Sequence, residues 1–518
     1  MRQYIEGHHA AMQFFRGDPF CLATHEARIA ELSTRFGRSE REAAAAALRP
    51  SSPRAAERLA RFVEEGGAVV TTGQQTGLFT GPLYTVHKIL GAITLADVLE
   101  KKLDKVVLPV FWSASEDHDW AEVNHAWMID GGGRLRRLEL PSDDLRPLPM
   151  SDRLVDAEIE LVFSDTRQTL QSKPYAGDYL TLLQSAYQPG TSVAAAFRET
   201  IEGIFAPFDL LTTDASDPAL KRTSAPILRA ALEGAAEHEA VLQRTSRKLA
   251  EAGYHTQVNL VSGAANVFLH TEAGRERLHT APGGWRTRLS RQQISTCKIG
   301  RLLKEDPRRL SPNVFLRPIV ESSVFPVVAY VGGPGEISYL GQISELFGCF
   351  GMSPPVVFPR PSVLFLPADI RTSVAKLGLE ISDLSKPESE LSTRIARSFM
   401  APPTRDALAA LRSSIVDGHR ALLESVPDPD PSLERSVGAL RNRALSDVAE
   451  LERKLLRHTK HLQSEQLRQV ARARAVLRPQ SAPQERVLNV FPFLAMYGPN
   501  LLRDTAAVMR DDLVGRLA

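Results

Sequence analysis

Cysteine is nearly missing from this sequence: three in 518 residues, Cys21, Cys297 and Cys349, none of them in a CxxC spacing. That excludes a disulfide framework and a zinc site built on paired thiolates, and it fits a reducing compartment. An excess of charge of one sign is missing too. Lys and Arg number 63 against 61 Asp and Glu, a net +2, so no global field draws in nucleic acid or an anionic membrane. The local basic runs at 134–137 and 468–478 read as solvated faces. Residues 1–9 lack the apolar stretch of a signal peptide, and no apolar run is long enough to span a bilayer. The expectation is a cytoplasmic protein with neither a nucleic-acid nor a membrane partner.

What is present is an ordinary globular composition, 43% hydrophobic and 24% charged, on a chain too long for one compact unit. The first sixty or so residues read as helical, and then 68–72 form a β-type run ending in a Gly-rich loop. Val86, Ile89, Leu90, Ile93, Leu95 and Val98 space a mostly buried helix over 85–99, and 106–112 is a second apolar run. Strand, Gly-rich turn, helix and strand make a βαβ unit. The rhythm breaks at about 127–172 and 250–310, which read as insertions; 254–260 and 266–270 look like strands of the second, and 210–213 is a candidate core strand. A strand at 327–331, a helix from 336 and a strand at 356–358 restore the pattern. The fold class is α/β, with a doubly wound parallel-sheet core over 1–370.

Residues 371–480 change character. A helix at 404–426 stops at Pro427, Pro429 and Pro431, with Ser432 the expected N-cap of the next. From there Leu433, Val437, Leu440, Ala444, Leu451, Leu455 and Leu462 recur at helical steps towards Val476. An antiparallel helical hairpin follows, and 481–518 returns to dock on the core.

Three segments concentrate chemistry at strand ends, where α/β folds bind ligands. In the first, Gly73, Gln74, Gln75, Thr76, Gly77, Thr80, Gly81, Tyr84, His87 and Lys88 surround a βα turn. Its glycines let backbone N–H groups approach a ligand, and the helix start favours an anion. A bare tight turn would need the glycines but not the neighbouring donors. The spacing is neither a Walker A loop nor GxGxxG. In the second, Trp112 precedes Glu116, Asp117, His118 and Asp119, with Asn124 and His125 beyond. Carboxylates beside an imidazole suit proton transfer and amine binding, and leave Mg²⁺ open. In the third, Arg317 is placed to grip a carboxylate, and Tyr330, Gly332, Gly333, Gly335, Glu336 and Tyr339 again link a strand to a helix.

Residues 82–87 resemble the HxGH signature of class I aminoacyl-tRNA synthetase-like nucleotidyltransferases. His87 falls on the second histidine, Tyr84 on the first, and Val86 replaces the glycine. The blocks TGQQTGLFTGPLYTVHK, FWSASEDHDWAEVNH, SPNVFLRP and AYVGGPGEISYLGQ, with Gln484–Asn489 near the end, together resemble the bacillithiol biosynthesis cysteine-adding enzyme family. Glu321-Ser322 and Leu340-Gly341 depart from that family's pattern. The resemblance implies a Rossmann-like core with connecting-peptide insertions and a coiled-coil domain that makes a homodimer. It implies a ligase joining the carboxyl of L-cysteine to the amine of glucosaminyl malate. Amide formation in water needs activation, so ATP or a related nucleotide is the expected cosubstrate, with Mg²⁺ possible.

His87, Lys88, Asp117, His118 and Asp119 are the expected catalytic residues, and the others named in the three segments bind substrate or nucleotide. Which of residues 116–119 is the base is left open. Two rival readings are another ATP- or nucleotide-sugar-dependent transferase, and a coiled-coil scaffold with a degenerate core.

Overall fold

Six strands build the core sheet of the computed structural model, which describes residues 2–142, 144 and 146–517. They are β1 (Arg49–Pro50), β2 (Ala68–Gln74), β3 (Val107–Ser113), β4 (Leu211–Asp214), β5 (Val327–Gly332) and β6 (Val356–Pro359). The order is β1-β4-β3-β2-β5-β6, with β4 through β6 parallel and β1 an antiparallel edge. The candidate strand at 210–213 is therefore part of the core, as β4. From β2 the chain steps through β3 to β4 on one side, and later places β5 and β6 on the other. That reversal opens a crevice at the carboxyl ends of β2, β3 and β5.

Burial explains the apolar runs. Residues 68–73 of β2 are covered on both faces, as a parallel sheet requires. Val69 packs on one side with Leu108, Val110 and Trp112, while Ala68 and Val70 pack on the other with Ala92, Leu95, Val331 and Phe358. The helix Leu83–Leu103 is buried almost all round, covered by the sheet and by the helix Asn500–Arg516. It lies so close that a Cβ on Gly91 would come within 2.7 Å of Pro361 Cδ.

The chain divides into two units. One comprises 1–131, 136–363 and 485–518, and holds the core sheet; the other comprises 132–135 and 364–484. The first insertion opens with strands His125–Ile129 and Leu135–Glu139 and continues as the helix Ile159–Leu170. The second contains a five-stranded antiparallel sheet that includes Ala264–Thr271, Gly274–Ala281 and Leu310–Pro312. Residues 254–260, expected as a strand, form none. The Gln342 side chain takes the place of a neighbouring strand there, accepting from Val258 N at 3.2 Å and donating to Val258 O at 2.8 Å.

In the helical unit, Pro402–Glu424 and Pro431–Leu462 form the expected hairpin. The N-cap is Asp430, not Ser432: its carboxylate accepts from Ser432 N and Leu433 N, and Pro431 occupies the first turn. The long helix ends at Leu462, and Ser464–Leu477 is a separate helix. Val437, Val448 and Leu456 are buried within the unit, whereas Leu440, Leu451 and Leu462 are exposed.

Candidate active site

The carboxyl ends of β2, β3 and β5 open into a cavity of about 740 Å³. Of the residues expected there, Gly73, Gln74, Gln75, Tyr84, Lys88, Trp112, Glu116, Asp117, His118, Arg317, Tyr330, Gly333, Gly335, Glu336 and Tyr339 line it. Thr76, Gly77, Thr80, Gly81, His87, Asp119, Asn124, His125 and Gly332 do not.

Lys88 lies in the second turn of its helix and reaches back over the strand end. Its Nζ donates to Gly73 O at 2.9 Å and Gln74 Oε1 at 2.7 Å, and pairs with Glu336 Oε2 at 2.5 Å. Glu336 in turn accepts from Gly333 N at 2.9 Å and from the Tyr330 hydroxyl at 2.6 Å. Burial alone would raise the Glu336 carboxyl, but Lys88 and these donors hold it below its usual value. Burial lowers the Lys88 ammonium, against the pull of Glu336. Burial also pushes the Tyr84 phenol up to about 12.

The Gly-rich loop splits in two. Gly73 to Gln75 face the cavity, while the following turn is a structural clasp. Phe79 and Thr80 have φ of 54° and 95°, conformations that side chains other than glycine rarely adopt. They are held by the fully buried Asn489, whose Nδ2 donates to Phe79 O, Thr80 Oγ1 and Gly81 O at 3.1, 3.3 and 2.7 Å. Phe79 N donates to the Tyr187 hydroxyl at 2.9 Å. Thr76, Gly77, Thr80 and Gly81 thus shape the turn from behind.

His87 sits on the far side of the same helix, fully buried, with Nδ1 at 3.2 Å from Glu485 Oε2. Arg360 Nη1 lies 3.4 Å from the same nitrogen, so Nδ1 meets both a carboxylate and a guanidinium. Burial lowers the imidazole's pKa. Glu485 also accepts from Arg360 at 2.8 and 2.5 Å and from the Ser362 hydroxyl at 2.5 Å. Arg360 reaches the cavity and His87 does not.

At the end of β3 the acidic cluster separates by role. Glu116 is buried against Lys221, which also donates to Leu310 O at 2.5 Å. Burial raises the carboxyl and lowers the ammonium. Asp117 accepts from Gln75 Nε2 at 2.6 Å and from His118 N at 2.8 Å. Arg275 Nη1 lies 3.3 Å from His118 Nδ1. Guanidinium can only donate, so Nδ1 accepts and the neutral ring carries its proton on Nε2. Burial and then the Arg275 charge lower the His118 pKa. Asp119 is exposed and caps the short helix Trp120–Val123, accepting from Glu122 N at 3.3 Å. Asn124 donates to Glu139 at 3.1 Å, and His125 pairs with Asn124.

Arg317 is engaged rather than open. It pairs with Glu321 at 3.1 Å, donates to the Tyr339 hydroxyl at 3.2 Å, and packs against the Tyr330 and Trp112 rings. The sequence reading missed Gln257, Arg275, Arg277, Asn313, Arg360 and Arg486 on the cavity wall, and Lys221 and Glu485 behind it. Arg275 and Arg277 carried a local signal, since basic residues two apart on a strand share a face, and Asn313, Glu485 and Arg486 fall within the blocks that carry the family resemblance. Among the described residues no group of three or more His, Cys, Asp or Glu is arranged to hold a metal ion.

A doubly wound sheet with a cavity lined by charged residues at its carboxyl edge, followed by a helical unit, defines a Rossmann-like protein with a coiled-coil domain. The chain belongs to the bacillithiol biosynthesis BshC family. The family's description "Bacillithiol biosynthesis BshC, N-terminal Rossmann-like domain" matches residues 1–361, and "Bacillithiol biosynthesis BshC, C-terminal coiled-coil domain" matches 363–510. The chain is similar to a protein of Solibacter usitatus, 31% identical over 93% of this chain and 89% of the relative. It is also similar to one of Salinibacter ruber, 30% identical over 86% and 81%, and one of Bacillus cytotoxicus, 28% identical over 84% and 81%. All three bear the name "Putative cysteine ligase BshC".

Proposed function

We propose that this protein is the cysteine ligase of bacillithiol biosynthesis, joining the carboxyl of L-cysteine to the glucosamine amine of glucosaminyl malate. The observation that carries the reading is one cavity with Asp117 and His118 at the end of β3, facing the same space as the Lys88–Glu336–Tyr330 cluster at the ends of β2 and β5. A cavity of about 740 Å³ suits a cysteine together with an amino-sugar conjugate.

The carboxyl must first be activated. ATP or a related nucleotide is the cosubstrate, with Mg²⁺ carried on its phosphates, giving an acyl-adenylate or an acyl-phosphate. Lys88 and the Gly73–Gln75 backbone stand where negative charge grows on the acyl group. The amine then attacks, AMP or phosphate leaves, and one proton must be removed from nitrogen. With the Nδ1 of His118 occupied by Arg275 and Asp119 turned to its cap, Asp117 is the group that takes this proton. The Nε2–H of His118 donates to the substrate. His87 acts behind the site, through Glu485 and Arg360.

The protein works as a homodimer through its helical unit. Leu440, Leu451 and Leu462 are exposed at an eleven-residue spacing, a stripe along one side of the long helix that suits a second copy. The setting is the cytoplasm. Cys21, Cys297 and Cys349 are all free, and no helix among the described residues is long and apolar enough to cross a membrane.

The test is incubation of the pure protein with cysteine, glucosaminyl malate and ATP, following the thiol product and AMP or ADP together. Stoichiometric product and nucleotide cleavage support the reading. Nucleotide cleavage that does not depend on cysteine would sink it.

A further inference from the structure

Six cations line the cavity: Lys88, Arg275, Arg277, Arg317, Arg360 and Arg486. Their partners divide them. Lys88 is bound to Glu336, Arg317 to Glu321 and Arg360 to Glu485. Arg275, nine-tenths buried or more, spends its donors on Ser311 Oγ at 2.9 Å, Pro312 O at 2.7 Å and His118. Arg277 and Arg486 differ: neither has a hydrogen-bond acceptor or a carboxylate within reach among the described residues.

Arg277 is aimed by its packing, and Arg486 is an exposed side chain on a fixed stretch of backbone. Arg277 lies two residues from Arg275 on one face of its strand, and the two guanidinium groups pack over the Phe268 ring at 5.2 and 4.1 Å. Arg486 follows Glu485, the carboxylate clamped by Arg360, Ser362 and His87. Three residues on, the backbone is fixed by Asn489 N donating to Trp127 O at 2.8 Å. Each guanidinium keeps a full set of donors for a ligand, in a fork that matches a carboxylate.

We propose that Arg277 and Arg486, rather than Arg317, are the specificity-determining cations of the site and that they hold the two carboxylates of the malyl group. The inference rests on the ligase reading for the identity of the ligand. Arg317, neutralised by Glu321, positions Tyr339 and the wall around Tyr330. Nucleotide phosphates offer the same anionic oxygens, so the experiment must separate the two sources.

The full chain and its Arg277→Ala, Arg486→Ala and Arg486→Lys variants are titrated calorimetrically with glucosaminyl malate, with methyl glucosaminide, and separately with ATP. Loss of one charged hydrogen-bonding group predicts a fall in affinity for glucosaminyl malate of about ten- to hundredfold in each alanine variant. The lysine variant falls less. Methyl glucosaminide binds weakly to all four proteins alike, and affinity for ATP is unchanged. In turnover, KM for glucosaminyl malate rises while KM for cysteine and kcat stay within a few-fold. Unchanged affinity for glucosaminyl malate would show solvated rim arginines and overturn the proposal, as would a loss confined to ATP. A wild-type protein that binds glucosaminyl malate through these arginines but makes no amide would sink the ligase reading and leave this one standing. Amide formation with wild-type KM in both alanine variants would do the reverse.

Discussion

Arg360 presents both terminal nitrogens to the carboxylate of Glu485, at 2.8 and 2.5 Å, across 125 residues of sequence. The pair joins the end of the last core strand to the segment that follows the helical unit, and His87 rests against it. Glu485→Ala leaves a buried guanidinium uncompensated, so stability should fall by about 3 kcal/mol. Turnover should fall with it, because Arg360 loses its aim. Glu485→Gln keeps the shape and should recover part of the stability. Chemical denaturation and steady-state kinetics on both variants check this.

Acid should find the same pair. Burial by itself would raise the Glu485 carboxyl, but Arg360, His87 and Ser362 hold it far below its usual value near 4.5. A carboxylate depressed on folding stabilises fully above the unfolded pKa and loses that contribution as pH falls through the folded one. The wild type should therefore lose stability below about pH 4.5 more steeply than Glu485→Gln does. His270 adds to the acid limb at a higher pH. Burial, with the Lys221 and Arg275 charges, lowers it from 6.5 to about 3, so the unfolded chain takes up the proton first as pH drops below 6.5. His270→Asn should flatten the decline between those values, as melting at stepped pH would show.

Lys88 and Glu336 neutralise each other in the cavity wall. Lys88→Met should cost about 3–5 kcal/mol by stranding Glu336, and should reduce kcat by a hundredfold or more. Adding Glu336→Gln should restore much of the stability but none of the turnover. Stability and activity that recovered together would mean Lys88 has no part in the chemistry.

Asp117 and His118 should respond differently. Asp117→Asn removes the proton acceptor and should lower kcat by about 10²- to 10⁴-fold with little change in KM for cysteine. His118→Gln keeps a donor towards the substrate and should lose far less. An inverted ranking in the kinetics would transfer the base role to the imidazole.

Leu440→Glu with Leu451→Glu should shift the protein from dimer to monomer in sedimentation, without unfolding it, since both side chains are exposed. A dimer that persists places the contact elsewhere.

Much of this site was legible because a parallel sheet binds ligands at its carboxyl edge. Once 68–72 reads as a strand, Gly73, Gln74 and Lys88 follow from the loop and helix after it, and Asp117 and Glu336 from the equivalent turns. His87 faces away from the cavity for a reason that helical geometry supplies. It neighbours Lys88, and adjacent residues on a helix point about 100° apart, so one enters the cavity and the other the core. Arg317 carried no sign of Glu321 as its partner beyond an i,i+4 spacing, which ordinary surface helices share. The pairing of Arg360 with Glu485 was out of reach, because it depends on where the chain re-enters the core after more than a hundred residues. No strand forms at 254–260, where the Gln342 side chain bonds both backbone groups of Val258.

That re-entry has a consequence for how the gene can be cut. Ser362 and Glu485 touch through a 2.5 Å hydrogen bond, so the chain leaves the core and comes back at nearly the same point. The helical unit is spliced in like a bead on a closed loop of thread. A reading frame stopped after the hairpin would lack Glu485, Arg486 and Asn489, and no later event could finish the pocket. One in which 364–484 is exchanged for a few flexible residues would keep them all.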